Sequence, residues 1–236
     1  MSDEARAALS TARRVAVLTG AGVSAESGVP TFRGLNGLWR SYRAEDLATP
    51  QAYARDPVLV WEWYRMRLHA VLSAEPNPAH RALAGLEASK DLTLVTQNVD
   101  GLHARAGSER VLELHGNLTM SRCERCGQLD KLEADFALPP HCSACGARSR
   151  PNVVWFGETL PQTTFQAAVN VFATAEVALV IGTSATVEPA ASLARLAKQQ
   201  GAYVVEINPK TTPLTYSADT SLFTTASAGL AALLES

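Results

Sequence analysis

The sequence predicts an α/β protein built on an open parallel sheet, with a small cysteine-containing module inserted in it. Short runs of Val, Leu and Ile alternate with segments of helical periodicity, which is the order of parallel strands joined by crossover helices. These runs are apolar almost throughout, as expected for strands covered on both faces. The four cysteines all lie within residues 121–151, a stretch too poor in large apolar residues to form its own core.

The predicted elements follow one another in a regular order. A helix at 2–13 leads into a strand at 14–19, and further strands are predicted at 91–96, 176–181 and 202–207. Helices are predicted at about 56–73, 78–88, 161–174, 189–200 and 227–235. Residues 1–120 and 152–236 then form the sheet domain, residues 121–151 form the inserted module, and residues from about 35 to 75 form a helical insertion.

Composition excludes several classes of function. The 236 residues carry 21 Lys and Arg against 23 Asp and Glu, a net charge of −2, which gives no basic field for a nucleic-acid backbone. No apolar run approaches the roughly 20 residues of a membrane span. The N-terminus is polar and acidic rather than signal-like. We therefore expect a cytoplasmic monomer with no nucleic-acid or membrane partner.

The cysteines are spaced as the ligands of a metal ion. Cys123 and Cys126 form one C-x2-C pair, fifteen residues follow, and Cys142 and Cys145 form the second. This spacing is typical of a tetrahedral four-thiolate zinc site, which has no open position and is structural rather than catalytic. The alternatives are two disulfides or a redox pair, and a reducing compartment disfavours disulfides.

A glycine-rich turn follows the first strand. Gly20, Gly22 and Ala25 form the pattern G-x-G-x-x-A, in which backbone N–H groups approach a pyrophosphate; a plain tight turn is the alternative. A dehydrogenase would carry an acidic residue about twenty positions further on. Here the chain instead continues through Pro30 and Gly34, so the predicted dinucleotide serves some other chemistry.

The order of further motifs is similar to that of a known family. These motifs lie at residues 20–33, 96–103, 114–116, 156–158, 182–184 and 207–209, together with the cysteine pairs. In them the chain resembles the sirtuins, the NAD-dependent protein-lysine deacylases. The resemblance implies a Rossmann-like NAD domain with an inserted zinc-ribbon module. It also implies that NAD is consumed as a cosubstrate, that an acyl-lysine protein or peptide binds in the cleft, and that the enzyme transfers the acyl group to ADP-ribose.

The resemblance also implies a set of NAD contacts. Those from the glycine loop are expected at Gly20, Ala21, Gly22, Ala25, Thr31, Phe32 and Arg33. Gln97, Asn98 and Asp100 are expected to position the nicotinamide and its ribose, although Asp100 also suits a helix cap. The adenosine end is expected at Gly182, Thr183, Ser184, Asn208 and Ala226.

His115 is the expected catalytic base. In sirtuin-like chemistry the acyl oxygen attacks the ribose carbon that bears nicotinamide, and a histidine then takes a proton from the ribose hydroxyls. An imidazole with an ordinary pKa of about 6.5 suits that step near neutral pH. The alternative is a core histidine bonded to a backbone carbonyl. His103 is assigned a supporting structural role.

Two residues of one predicted helix suggest the acyl group. Tyr64 and Arg67 share a helical face, where a phenol and a guanidinium could bind a carboxylate. Sirtuins that remove succinyl and malonyl groups carry such a Tyr-x-x-Arg pair, with a small residue at the position of Ala48. The alternative is a solvated Arg67 and a Tyr64 that packs with Trp61. Acetyl-lysine is expected to remain a substrate.

The β-rich stretch from Val153 to Glu158 is the expected peptide site. An extended peptide could add to it as a strand, with contacts from Val154, Phe156, Gly157 and Glu158. The alternative is an internal strand that links the two modules. Two other activities stay open: a mono-ADP-ribosyltransferase that uses the same NAD site, and a zinc-dependent binding module without turnover.

Overall fold

A computed structural model describes residues 2–30, 38–39 and 42–234 of the chain. The strands are β1 (Arg14–Thr19), β2 (Leu38–Trp39), β3 (Tyr42–Arg43), β4 (Asp91–Thr96), β5 (Val111–Glu113), β6 (Gly116–Cys123), β7 (Leu129–Lys131), β8 (Ser149–Val153), β9 (Val177–Ile181), β10 (Tyr203–Ile207) and β11 (Thr220–Leu222). The helices are α1 (Ser2–Thr11), α2 (Ala21–Ser24), α3 (Ala44–Leu47), α4 (Pro50–Arg55), α5 (Pro57–Ser73), α6 (Pro78–Glu87), α7 (Leu102–Arg105), α8 (Gln162–Thr174), α9 (Ser192–Gln199) and α10 (Ala226–Leu234).

Six parallel strands form the main sheet, in the order β11-β10-β9-β1-β4-β5. The chain builds outward from β1 through β4 to β5, and then returns to the other side of β1 to add β9, β10 and β11. This reversal places a topological switch point between β1 and β9, where open α/β sheets bind ligands at the carboxyl ends of their strands. The predicted α/β fold with a Rossmann-like sheet is confirmed.

Alternate residues of the central strands fill the cores on the two faces of this sheet. Val15 and Val17 face a core shared with α1, α6 and α10, whereas Ala16 and Leu18 face a core shared with α8 and α9. Burial on both faces explains why the sequence of β1 is apolar almost throughout. The polar surface of the sheet is thereby confined to its edges and strand ends, and the carboxyl ends are available for a site.

A second, antiparallel sheet carries the cysteines. Its order is β7-β6-β8, and it includes two C-x2-C turns that follow β6 and precede β8. Its strands begin at Gly116 and end at Val153, so they extend beyond the predicted module of residues 121–151 on both sides. The exact domain boundaries stay a prediction.

The helical insertion packs on this smaller sheet. Asp56 caps α5 by accepting the N–H of Leu59, and Pro57 occupies the first turn. From the insertion, the Tyr53 hydroxyl and the Trp61 indole both donate to the carbonyl of Ser149 in β8, at 2.7 and 3.0 Å. The insertion and the cysteine module therefore share contacts. None of the helices within the described residues has the length and apolar composition of a membrane span.

Candidate active site

The glycine loop after β1 packs directly against the loop after β9. Gly22 N–H donates to the carbonyl of Gly182 at 2.8 Å. A Cβ on Gly22 would lie 2.7 Å from that oxygen. Gly182 has a φ of +61°, and a Cβ there would lie 2.4 Å from the nitrogen of Val23. Two backbones thus meet where no side chain fits, so the glycines hold the switch point together as well as exposing backbone to a ligand.

Ser24 is the centre of a buried polar network beside the glycine loop. Its hydroxyl donates to Asp100 Oδ2 at 2.7 Å and accepts from Asn98 Nδ2 at 3.1 Å. Asn98 Nδ2 also donates to the carbonyl of Gly20 at 3.1 Å. Asp100 Oδ1 accepts the N–H of Leu102, the first residue of α7, at 2.9 Å. The predicted cofactor residues Asn98 and Asp100 are thus brought to the glycine loop, and Asp100 also caps a helix.

Two buried histidines, which are in ring contact with each other, lie beside this network. His80 Nε2 lies 3.4 Å from Ser24 Oγ, and His80 Nδ1 accepts the N–H of Asn77 at 3.2 Å, so the ring is neutral with its proton on Nε2. His103 Nε2 lies 3.0 Å from Thr19 Oγ1. Burial, helped by the neighbouring His80, lowers the pKa of His103 to about 3. The supporting structural role predicted for His103 agrees with these contacts but is not tested by them.

Gln97 and Thr183 join the ends of β4 and β9. Gln97 Nε2 donates to Thr183 Oγ1 at 3.0 Å, and Thr183 is buried. Ser184 is half-buried, and its hydroxyl lies 2.9 Å from that of Thr186. Gln97 and Ser184 therefore place an amide and a hydroxyl group at the switch point. Groups of these two kinds can form hydrogen bonds with ribose hydroxyls and with a carboxamide.

The adenosine end of the predicted site is built from three separate elements. Asn208 follows β10, and its Nδ2 donates to the carbonyl of Lys210 at 2.7 Å. Ala226 begins α10, whose next N–H group, on Ser227, donates to Glu26 Oε2 at 3.1 Å. Glu26 lies in the 3-10 turn after the glycine loop, so it connects that loop to Ala226.

The residues at this edge fit NAD: a glycine-rich loop stands at the switch point, and hydroxyl and amide groups surround it. Ala21 is half-buried in the loop, and Ala25 is exposed at its end. Three of the predicted contacts, Thr31, Phe32 and Arg33, lie outside the described residues.

His115 lies between the two sheets and is half-buried. Its Nδ1 donates to the carbonyl of Gln97 at 2.8 Å, because a carbonyl can only accept. Its own carbonyl accepts the N–H of Val154 at 2.9 Å. Burial lowers the pKa of His115 below 6.5, and the bond to Gln97 offsets part of this. The ring is therefore neutral at pH 7 with its lone pair on Nε2, which suits a base.

The predicted acyl-binding residues lie together on the insertion. Tyr64 is buried, and burial raises its pKa to about 12. Its hydroxyl accepts from the indole N–H of Trp155 at 2.9 Å. The Arg67 guanidinium lies 5.8 Å from the Tyr64 ring centroid and 4.9 Å from that of Trp63. Ala48 is buried and joined to the loop after β8, since its carbonyl accepts the N–H of Phe156 at 3.0 Å.

The stretch predicted to bind peptide divides into a strand and a turn. The strand, β8, ends at Val153 and pairs with β6. This pairing is what the alternative of an internal strand predicts. In the turn, the N–H groups of Val154 and Phe156 already have partners inside the protein. The Glu158 carboxylate binds Arg150 through two bonds of 2.6 and 2.8 Å. Gly157 is exposed with a φ of +88°. Strand addition of a peptide here stays a prediction.

The four cysteine sulfurs lie within 4.8 Å of one another. Cys123 Sγ is 3.5 Å from Cys145 Sγ, and Cys126 Sγ is 3.6 Å from Cys142 Sγ. Zn–S bonds of about 2.3 Å in a tetrahedron separate the sulfurs by about 3.8 Å, so the cluster fits one zinc ion. The backbone N–H of Cys126 is the main cause that lowers the pKa of Cys123 to about 6, which favours the thiolate. All four cysteines are free of disulfides, so the disulfide alternative is wrong.

Sequence reasoning missed Ser24, His80 and Trp155. Ser24 stands inside the glycine loop, and its position there was the signal that it faces the cofactor region. His80 is the third residue of α6 after the capping residue Asn77, so its pattern indicated only a helix start. Trp155 lies between two residues that were predicted to bind substrate, and nothing in its spacing indicated that it bonds to Tyr64.

Known proteins with similar sequences show the family to which the chain belongs. The model of the Sir2 family matches residues 20–189. A Thermus thermophilus protein named NAD-dependent protein deacylase is 57% identical over 237 residues, which are 98% of this chain and 93% of the relative. A Deinococcus radiodurans protein of the same name is 56% identical over 242 residues, which are 99% and 98% of the two chains.

Solved structures agree with the sequence relatives. A Sir2 homologue in complex with NAD superimposes with a TM-score of 0.93 at 48% identity, covering 99% of this chain and 92% of that one. A Sir2 structure with a p53 peptide and NAD+ gives a TM-score of 0.89 at 32% identity, covering 100% and 98%.

The parallel sheet, the glycine loop at its switch point and the four-cysteine module define an NAD-using enzyme with a structural zinc site. The chain belongs to the Sir2 family, the sirtuins. The predicted class, an NAD-dependent protein deacylase with NAD as cosubstrate, is confirmed. The comparisons do not favour the mono-ADP-ribosyltransferase alternative, and the predicted monomer and cytoplasmic location stay predictions.

Proposed function

We propose that this enzyme removes acyl groups that end in a carboxylate, succinyl and malonyl, from protein lysines, and that it also accepts acetyl-lysine. The products are nicotinamide and the acylated ADP-ribose. The observation that carries the proposal is the pair formed by Tyr64 and Arg67 on α5, where a buried phenol and a half-buried guanidinium lie side by side.

The electrostatics of Arg67 favour an anionic acyl group. Burial lowers the pKa of Arg67, while the phenol of Tyr64 and the carboxylate of Asp100 act in the opposite direction. A desolvated guanidinium gains most from a ligand that supplies a negative charge and two acceptor oxygens. An acetyl group supplies neither, so Arg67 discriminates between acyl groups through their charge.

The other site residues take the roles that their geometry allows. NAD supplies the ribose carbon that receives the acyl oxygen. Asn98, Asp100 and Gln97 hold the cosubstrate at the switch point, and the sheet edge at Asn208 and Ala226 holds its adenosine end. His115 takes a proton at Nε2, because its Nδ1–H is committed to the carbonyl of Gln97. Residues 154–158 lie beside His115 and Ala48, where the acyl-lysine chain enters.

The test is a comparison of acyl groups on one peptide. We expect kcat/KM to be higher for succinyl- and malonyl-lysine than for acetyl-lysine, with no turnover when NAD is omitted. Replacing the pair by Tyr64→Phe with Arg67→Met removes charge-assisted hydrogen bonds, so activity on succinyl-lysine is expected to fall by about 100-fold and on acetyl-lysine by much less.

Arg65→Met is the matched control, because Arg65 lies on the same helix but two residues from Arg67 and so faces elsewhere. That variant is expected to keep the ratio of succinyl to acetyl activity. An equal loss on both substrates in the double variant would overturn the carboxylate preference, and leave the deacylase activity in place.

A further inference from the structure

We propose that Trp155 is a positioning residue that sets the acyl specificity: its indole N–H orients the Tyr64 hydroxyl so that the phenolic proton faces the acyl terminus of the substrate. The inference rests on the proposed preference for carboxylated acyl groups. Among the described residues, the hydrogen bonds of Trp155 go to Glu158 and Tyr64, and none joins it to the NAD edge of the sheet or to His115.

The direction of the hydrogen bond decides what the phenol can do. An indole N–H only donates, so the Tyr64 oxygen must accept in its 2.9 Å bond to Trp155. Tyr64 and Trp155 are both buried, with 2% and 3% of their surfaces exposed, which keeps water from competing for this bond. The hydroxyl proton must then point away from the indole, to an acceptor on another side.

The Arg67 guanidinium lies 5.8 Å from the centroid of the Tyr64 ring, and a guanidinium can only donate hydrogen bonds. In this proposal the phenol proton and the guanidinium both donate to the acyl terminus. A carboxylate has two oxygens and satisfies both donors at once, whereas an acetyl methyl group satisfies neither. If Trp155 were absent, the phenol could rotate and donate elsewhere, and the convergence of donors would be lost.

The indole itself is held by two neighbouring side chains. The Arg150 guanidinium lies 3.5 Å above its ring centroid, and the Tyr53 ring lies 5.1 Å from it. Glu158 binds Arg150 and also accepts the backbone N–H of Trp155 at 2.9 Å. These contacts fix the ring plane of Trp155, so the direction of its N–H is fixed as well.

The experiment measures the ratio of kcat/KM on succinyl-lysine to that on acetyl-lysine. Trp155→Phe removes the donor, and the ratio is expected to fall about tenfold. Trp61→Phe is the matched control: Trp61 is also fully buried, but its indole N–H donates to the carbonyl of Ser149 at 3.0 Å. The control is expected to keep the wild-type ratio, and the KM for NAD is expected to stay constant in both variants.

A second variant separates the N–H from the shape of the ring. Trp155 replaced by benzothienylalanine has sulfur in place of N–H and nearly the same volume, so folding is preserved. We expect the same fall in the ratio as in Trp155→Phe. In the background of Tyr64→Phe, where no hydroxyl remains to be oriented, loss of the indole N–H is expected to change the ratio no further.

The outcomes separate the two proposals. A wild-type enzyme without preference for succinyl-lysine overturns the proposed function and this inference with it. A preference that Tyr64→Phe abolishes but both Trp155 variants retain overturns this inference alone. An equal loss on both substrates in the benzothienylalanine variant, or a further fall of the ratio in the Tyr64→Phe background, also overturns it, because Trp155 would then act by packing.

Discussion

His115 is held by one hydrogen bond that decides which of its nitrogens takes a proton. Because Nδ1 donates to the carbonyl of Gln97, the neutral ring has its lone pair on Nε2. This contact agrees with both interpretations of the sequence, because a core histidine would also bond to a backbone carbonyl. The position of the ring favours the catalytic base, since His115 is only half-buried and lies between the main sheet and the cysteine-bearing sheet.

The acid limb of the pH profile follows from the environment of His115. Burial lowers its pKa below 6.5, and a base must be unprotonated, so the midpoint of the acid limb is expected below pH 6.5. On the acid side of that midpoint, kcat/KM is expected to decrease toward tenfold per pH unit. A profile of kcat/KM on saturating NAD measures this.

His115→Ala is the companion variant. It is expected to bind NAD as the wild type does, by calorimetry, and to lose about 10²- to 10⁴-fold in kcat, the usual contribution of a general base. An acid limb centred above pH 7, or normal turnover in the variant, would contradict the assignment.

Site residues that belong to a sequence motif could be predicted, whereas residues that join the site only through tertiary contacts could not. Asn98 and Asp100 belong to a motif, and the structure brings both to the glycine loop. The hydroxyl of Ser24 joins them across 74 and 76 residues of chain, and His80 reaches it across 56. No local spacing records such separations, so the hub of the network was not predicted.

At the scale of elements, the loops after β1 and β9 meet in a close contact between two backbones. Gly22→Ala would force a Cβ to within 2.7 Å of the Gly182 carbonyl and 2.8 Å of its Cα, both backbone atoms that cannot rotate away. We expect a loss of about 1 to 3 kcal/mol in the free energy of unfolding and a higher KM for NAD. Urea unfolding and steady-state kinetics measure the two effects.

Gly85→Ala is the control for that variant. Gly85 lies within α6, and a Cβ there has nothing within 4 Å. Alanine is the better helix former, so this change is expected to raise the free energy of unfolding by about 0.5 to 1 kcal/mol with the KM for NAD unaltered. If Gly22→Ala behaved like Gly85→Ala, the close contact of the two loops would not be a constraint.

Elements were predicted where burial left a strong pattern. The strand predicted at 14–19 is β1 residue for residue, and the strand predicted at 176–181 begins one residue later. The three-residue strands β5 and β11 were missed, since they lie at the edges of the sheet and are mostly half-buried. Strand β6 was missed because its pattern of buried and half-buried residues does not alternate.

At the scale of the whole molecule, the proposed acyl site around Tyr64 shares its core with the cysteine module rather than with the NAD sheet. Tyr64 and Trp61 of α5 pack in one cluster with Leu118 and Val153 of the smaller sheet and with Leu132, which follows β7. The two cores of the NAD sheet contain no residue of this cluster among those described. The proposed acyl site and the NAD sheet therefore pack on different parts of the hydrophobic interior.

Loss of zinc is expected to separate these two functions. Structural zinc contributes about 10 to 16 kcal/mol in small zinc domains, far more than the module's few apolar residues can replace. In Cys142→Ser, or after chelation, we expect the module to unfold and the cluster around Tyr64 to open. Three of the four tryptophans, Trp61, Trp63 and Trp155, lie buried in that cluster, so their emission should shift to the red.

The NAD sheet is expected to persist under the same treatment, because its cores and the contact between Gly22 and Gly182 involve none of the cysteine module. Calorimetry should therefore still detect NAD binding after succinyl-lysine turnover has been lost, and added zinc should restore turnover in the chelated wild type. Ser143→Ala is the matched control, since its hydroxyl bonds to Asp130 at 2.5 Å rather than to a sulfur. Unchanged tryptophan emission with full desuccinylation in the zinc-free protein would contradict this prediction. It would show that the proposed acyl site keeps its structure without the zinc-bound module.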